Sequence, residues 1–180
     1  LDVVRSSFPT DFKKIMTDAL WMILRFEGKQ ATSDVILNFR KGIHNSDILN
    51  VMKNTGVKDI AKYIKQREPF GGYPSGTPAH VKSAINFNDM LTKIAKTDAT
   101  DITNGEKIKW AYLKNNPYGF DTVALRGYED PDEIVEFVET YIDRDKIFDR
   151  ELRGKFDDFY AAMNWGVLPQ NNNMGKFFSF

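Results

Sequence analysis

Apolar residues near the N-terminus follow the spacing of an amphipathic helix. A serine pair and Pro9 favour a helix start near Thr10. Apolar side chains then recur every three or four positions until Gly28. Trp21, Met22 and Phe26 widen this stripe, which predicts that the helix is covered on more than one side. A second helix is predicted over residues 33–41, and residues 47–52 form either a short strand or a helical turn.

The middle of the chain predicts a loop, a helix and a β-hairpin. Residues 68–78 have Pro or Gly at six of eleven positions, so they form a shaped loop without regular structure. Helical periodicity follows over residues 79–95. Ile108, Trp110 and Tyr112 then alternate with partly polar neighbours, as in a half-buried strand. Turn residues over 115–119 lead to a second strand at 121–126, which completes the hairpin.

The C-terminal third predicts two helices and a tail. Asp130 is expected to cap the first, with Pro131 in the first helical position and Glu133 in a capping box. The second is predicted over residues 145–163, and Pro169 with the asparagines of 171–173 ends the regular pattern. We therefore expect an α+β fold: one mainly helical domain with a small β-hairpin over residues 1–168, and a flexible tail over 169–180.

Composition excludes several kinds of site. The chain contains no cysteine, so disulfides, thiolate metal sites and cysteine nucleophiles are excluded. Its 180 residues, 42% of them hydrophobic, suit one folded domain. No apolar run approaches the roughly 20 residues of a membrane span, and a signal-peptide pattern is absent. Because residue 1 is Leu rather than Met, we expect a processed product or an excised fragment.

Charge is distributed unevenly although the formal net charge is zero. Residues 53–96 carry eight basic against three acidic side chains, a net charge of +5. Residues 128–158 carry twelve acidic against five basic side chains, a net charge of −7. Only the basic part is therefore expected to contact phosphate groups.

Motifs of catalysis are missing. The sequence has no GxxxxGK[ST] phosphate loop, no HExxH and no GxSxG. His44 and His80 show no ligand spacing with acids, and the carboxylates of the last two helices alternate with Lys and Arg as on a solvated face. We expect no catalytic residue, no metal site and no cofactor in this chain.

Two segments suggest binding. Residues 62–67 are basic with an interleaved tyrosine, and they lead through the Gly/Pro-rich loop to Thr77, His80 and Lys82. This segment predicts either a phosphate-binding loop or an ordinary surface loop, with equal weight. The tail has three phenylalanines in its last four residues. They either fold back onto the core or anchor a partner, and the asparagine spacer favours the anchor.

Seven segments, taken in order, resemble the C-terminal thumb region of bacteriophage family B replicative DNA polymerases. They cover the predicted helix start, the basic segment, the helix after the loop, the hairpin, the late helix and the aromatic tail: residues 5–9, 59–63, 77–82, 105–108, 116–119, 145–152 and 175–180. The resemblance spans nearly the whole chain. It implies a thumb that holds primer–template duplex behind the active site without reading its sequence.

The resemblance also assigns roles to residues. DNA contacts are implied for Lys62, Tyr63, Lys65, Gly71, Gly72, Thr77, His80 and Lys82. Docking to a sliding clamp is implied for Phe177, Phe178 and Phe180. The catalytic palm with its Mg²⁺ is expected outside this chain, in polymerase domains joined covalently or as a split subunit. The chain alone is then inactive, and its expected location is the cytoplasm of an infected bacterium. Two alternatives remain open: a non-catalytic DNA- or clamp-binding accessory protein, and a phage structural protein.

Overall fold

The computed structural model describes residues 7–55, 78–94, 97–103 and 105–170. The helices in these ranges are α1 (Thr10–Leu24), α2 (Lys29–Gly42), α3 (Ile48–Val51), α4 (Ala79–Lys93), α5 (Asp132–Tyr141), α6 (Arg144–Phe148) and α7 (Gly154–Ala162). A 3₁₀ turn (Ile43–Asn45) extends α2, and a π-helical turn (Asp149–Arg153) joins α6 to α7. No helix in these ranges has the length and apolar character needed to cross a bilayer.

Three antiparallel strands form the sheet in the order β1 (Lys53–Asn54), β2 (Lys109–Tyr112) and β3 (Thr122–Leu125). The β2–β3 pair confirms the predicted hairpin, and the mainly helical α+β class is also confirmed. Trp110 faces Ala124 and Tyr112 faces Thr122 across this pair. Because paired residues point to the same side of a sheet, these four share one face.

Within the described ranges the first helix is covered on one side only, contrary to the sequence prediction. Phe12, Ile15, Met16 and Ala19 are buried, as the periodicity predicts. Near its C-terminal end, however, Trp21 is 53% exposed, and Phe26, just after the helix, is 86% exposed. These side chains lie beyond the part of α1 that packs on the core, so their apolar character does not reflect burial.

Asp130 closes a turn and does not cap α5. Its carboxylate accepts hydrogen bonds from the backbone amides of Arg126 (2.9 Å) and Gly127 (2.7 Å), directly after β3. Pro131 occupies the cap position of α5, and no side chain makes a capping bond there. The predicted helix start is thus confirmed, whereas the roles given to Asp130, Pro131 and Glu133 are wrong. The Asp130 carboxylate binds amides at the end of the hairpin instead, so Pro131 takes the cap position.

The late helix is one helical stretch interrupted by the π turn. Phe148, Leu152 and Phe156 are fully buried along its inner face. Tyr160 is also fully buried, and its hydroxyl lies 2.6 Å from that of Ser33 on α2. This buried hydrogen bond joins α2 to α7 and gives each of the two buried hydroxyl groups a partner.

Candidate nucleic-acid interface

The N-terminal end of α4 is where the described structure meets the predicted phosphate-binding segment. Pro78 is its cap residue, and the Pro78 carbonyl accepts hydrogen bonds from the amides of Val81 and Lys82. Among the described residues no side chain caps this end, and the first turn of the helix has no acidic residue. The helix's own first turn therefore does not offset the positive end of its dipole, which favours an anion nearby.

Two of the predicted DNA contacts lie on this helix. The Lys82 side chain is 54% exposed, and its Nζ is 3.9 Å from Oδ2 of Asp121, which is 80% exposed. Such an exposed ion pair contributes little free energy in water, so a phosphate can replace the Asp121 carboxylate beside Lys82 with little loss of stability. His80 is partly buried in the first turn. The remaining predicted contacts lie outside the described residues: Lys62, Tyr63, Lys65, Gly71, Gly72 and Thr77, with Phe177, Phe178 and Phe180 of the tail.

Helix α4 runs along β3 on the face that carries Thr122. The Thr122 hydroxyl donates to the Ala79 carbonyl (3.5 Å), and the Asn86 amide donates to the Thr122 carbonyl (2.8 Å). Further along, the Arg126 guanidinium lies 5.3 Å from the centre of the Phe87 ring. The start of α4 is therefore fixed over the pair formed by Thr122 and Tyr112.

Three cations cover the aromatic side chains of β2 on the same face. Lys53 Nζ lies 4.8 Å from the Trp110 ring centre. Lys146 Nζ and Arg150 Cζ lie 5.1 Å and 5.5 Å from the centre of the Tyr112 ring. We call these five residues the Tyr112 cluster. Distances of this size are typical of cation–π contacts.

The Tyr112 cluster carries excess positive charge. Lys53 is neutralised by Glu151, at 2.8 Å, and both side chains are largely buried. Lys146 and Arg150 form no ion pair with any carboxylate in the described ranges. Burial raises the pKa of Tyr112, and the nearby Glu151 charge adds to this effect, while Arg150 opposes it. The tyrosine hydroxyl therefore stays protonated and can donate a hydrogen bond at neutral pH.

Sequence reasoning missed Lys146 and Arg150 because they lie in the acidic stretch. Two neighbouring acids face elsewhere: Asp145 lies 3.4 Å from Arg40 and 3.3 Å from His44, and Asp149 lies 3.0 Å from Arg153. A third, Asp143, accepts a hydrogen bond from the Lys146 backbone amide (3.0 Å) and makes no ion pair with the Lys146 side chain. The only local signal was the spacing of four residues between Lys146 and Arg150, which places both on one side of a helix.

The described part of the chain contains no group of side chains that could bind a metal ion. No group of three or more His, Asp or Glu side chains there is arranged to hold an ion.

Comparison with protein-family models and with curated proteins gives no match for this chain. Function is therefore inferred from the residues and from the arrangement described above.

Proposed function

We propose that the chain is the thumb portion of a family B DNA polymerase that holds primer–template duplex through its sugar–phosphate backbone. The observation that carries this function is the start of α4. It is a helix end without a side-chain cap, with an exposed Lys82, and it follows the basic segment 62–67 after the Gly/Pro-rich loop. Catalysis and its Mg²⁺ belong to other domains of the polymerase, so the chain alone is inactive.

The arrangement suits binding without sequence readout. Backbone amides at a helix end and lysine side chains contact phosphate oxygens, which are the same for every sequence. Phosphate neutralisation by lysines releases counterions and makes affinity fall steeply with salt. The net positive charge of residues 53–96 also favours the approach of DNA to that part of the chain.

The aromatic tail is proposed to dock into a sliding clamp. Phe177, Phe178 and Phe180 would fill apolar pockets on the clamp, as anchor residues do in peptide recognition. Tethering the polymerase to a ring around DNA raises the effective concentration of the duplex near the thumb. In this account the protein acts in the cytoplasm of an infected bacterium.

Removal of three predicted phosphate contacts tests the DNA-binding role. Changing Lys62, Lys65 and Lys82 to alanine is expected to weaken duplex binding on the order of 100-fold at 0.1 M salt, because each lost contact removes the release of about 0.9 counterion. Fluorescence anisotropy with a labelled primer–template measures the affinity. A matched control changes Lys14, Lys29 and Lys41 on α1 and α2. An equal loss of duplex affinity in both triple variants would contradict DNA binding by Lys62, Lys65 and Lys82 in particular.

Deletion of residues 175–180 tests the docking role. We expect the deletion to abolish binding to the cognate sliding clamp in titration calorimetry while duplex affinity stays within about twofold, since the anchors act on the partner and not on DNA. The control replaces Phe26, an exposed phenylalanine distant in sequence from the tail, with serine. Unchanged clamp binding after the deletion would reject the docking role.

A further inference from the structure

We propose that Lys146 and Arg150, held on the Tyr112 ring, form a second phosphate-binding site that takes the oxygens of a nucleic-acid backbone. Neither residue was predicted from the sequence, and both belong to the stretch of net charge −7. Because the ligand is the same duplex, this second site deepens the proposed function and rests on it.

Local charge balance favours an anion at this position. Each of the two cations lies within 6 Å of one ring centre, so they are separated by no more than about one Debye length, ~10 Å at 0.1 M salt. The acids adjacent to them in sequence are paired elsewhere: Asp145 with Arg40, Asp149 with Arg153 and Glu151 with Lys53. Two positive charges are thus held together without a matching carboxylate in the described ranges, and a bound phosphate would relieve their mutual repulsion.

The side chains suit phosphate chemistry. Arg150 can present two parallel N–H groups to two phosphate oxygens, while Lys146 acts as a compact charge. Contact with the Tyr112 ring restricts both charged groups, which lowers the entropy lost when an anion binds. The protonated Tyr112 hydroxyl can donate a further hydrogen bond to a bound phosphate.

The site is next to the α4 end that carries the proposed function. Tyr112 is paired with Thr122, and the Thr122 hydroxyl bonds to the carbonyl of Ala79, the first residue of α4. Facing residues of an antiparallel pair have Cα atoms about 4.5–5.5 Å apart. Duplex DNA carries one charge per ~1.7 Å of its axis, so a single duplex can offer phosphates to both places.

The test compares salt dependence in charge-removing and charge-keeping variants. Anisotropy with a labelled primer–template gives the slope of log affinity against log salt. Changing Lys146 and Arg150 to glutamine is expected to make the slope shallower by about 1.8, twice the value for one phosphate. Exchanging them as Lys146→Arg with Arg150→Lys keeps both charges and should leave the slope within about 0.5 of the unchanged protein. The control pair is Lys29→Gln with Lys41→Gln on α2, which changes the net charge equally.

The outcomes separate this inference from the proposed function. If Lys82→Gln weakens binding but the glutamine pair at 146 and 150 leaves the slope unchanged, the second site is rejected and the thumb function stands. If only the glutamine pair changes the slope, the second site stands and the α4 end is rejected. If the unchanged protein shows no salt-sensitive binding, both are rejected. Thermal melting verifies that each variant is folded. If the variant with both glutamines is unfolded, Tyr112→Phe tests the site instead. It must weaken duplex binding severalfold if the Tyr112 hydroxyl donates to a phosphate.

Discussion

Replacing Phe148 with alanine is expected to lower the free energy of unfolding by about 3–5 kcal/mol, the usual range for a buried phenylalanine. Its ring is fully buried where α6 meets the π turn. It lies 6.4 Å from the Phe39 ring, with the Arg40 and Arg153 guanidinium groups 5.2 Å and 5.9 Å from its centre. The substitution would therefore open a cavity between α2 and the late helix. Urea denaturation followed by circular dichroism measures the change.

Phe26→Ala is the matched control for this substitution. The Phe26 side chain is 86% exposed after the end of α1, so its removal should change stability by no more than about 0.5 kcal/mol. Similar losses for both variants would contradict the packing described here, because Phe148 is fully buried whereas Phe26 is not.

Arg126→Met is expected to lower the free energy of unfolding by about 3 kcal/mol, which is the lower end of the range for breaking a buried ion pair. The Arg126 side chain is 9% exposed, and its Nε lies 2.8 Å from Oε1 of Glu106. Its Nη2 donates to the Asp101 carbonyl at 2.9 Å. Methionine preserves part of the contact with Phe87 but leaves Glu106 without its cation. Chemical denaturation of the variant measures this loss.

The ion pair also predicts how stability depends on pH. Burial acts to raise the pKa of Glu106, but hydrogen bonds from the Arg126 side chain and the Thr103 amide outweigh burial and hold this pKa below its ordinary value. A carboxyl whose pKa is lower in the folded state adds stability above its unfolded pKa and loses it as pH falls through the folded value. The difference in free energy of unfolding between the wild type and Arg126→Met should therefore become smaller below about pH 4.5.

A second substitution tests whether the lost charge is the cause. Adding Glu106→Gln to Arg126→Met removes the unpaired carboxylate, so the double variant should recover part of the lost stability. A double variant as unstable as the sum of both single changes would contradict the ion-pair explanation.

Local patterns predicted the helices and the hairpin because their hydrogen bonds join residues close in sequence. The sequence does not predict strand β1, since two residues are too short to show a period and their partners, Trp110 and Lys109, come from a distant segment. Asp130 was misread for a related reason. A carboxylate before a helix can bind amides on either side, and the geometry of the hairpin end selects Arg126 and Gly127.

The candidate interface was predictable only in part. Lys82 and His80 stood out because basic residues followed a Gly/Pro-rich loop. Lys146 and Arg150 did not, because charge counted along the chain mixes residues from opposite sides of a helix. Asp145 and Asp149 are drawn to Arg40, more than one hundred residues away, which leaves the two cations to Tyr112. Ion pairs between residues so far apart in sequence cannot be predicted from the local sequence pattern.

The salt dependence of duplex binding by the unchanged chain tests the central claim most directly. Anisotropy with two labelled primer–templates of unrelated sequence, between about 50 and 200 mM salt, gives both the slope and any preference. A phosphate-holding thumb predicts nearly equal affinities and a slope of about −2.7 or steeper, since three lysines (Lys62, Lys65, Lys82) each neutralise one phosphate. A salt-independent affinity, a strong preference for one sequence, or no binding at about 50 mM salt would contradict the account.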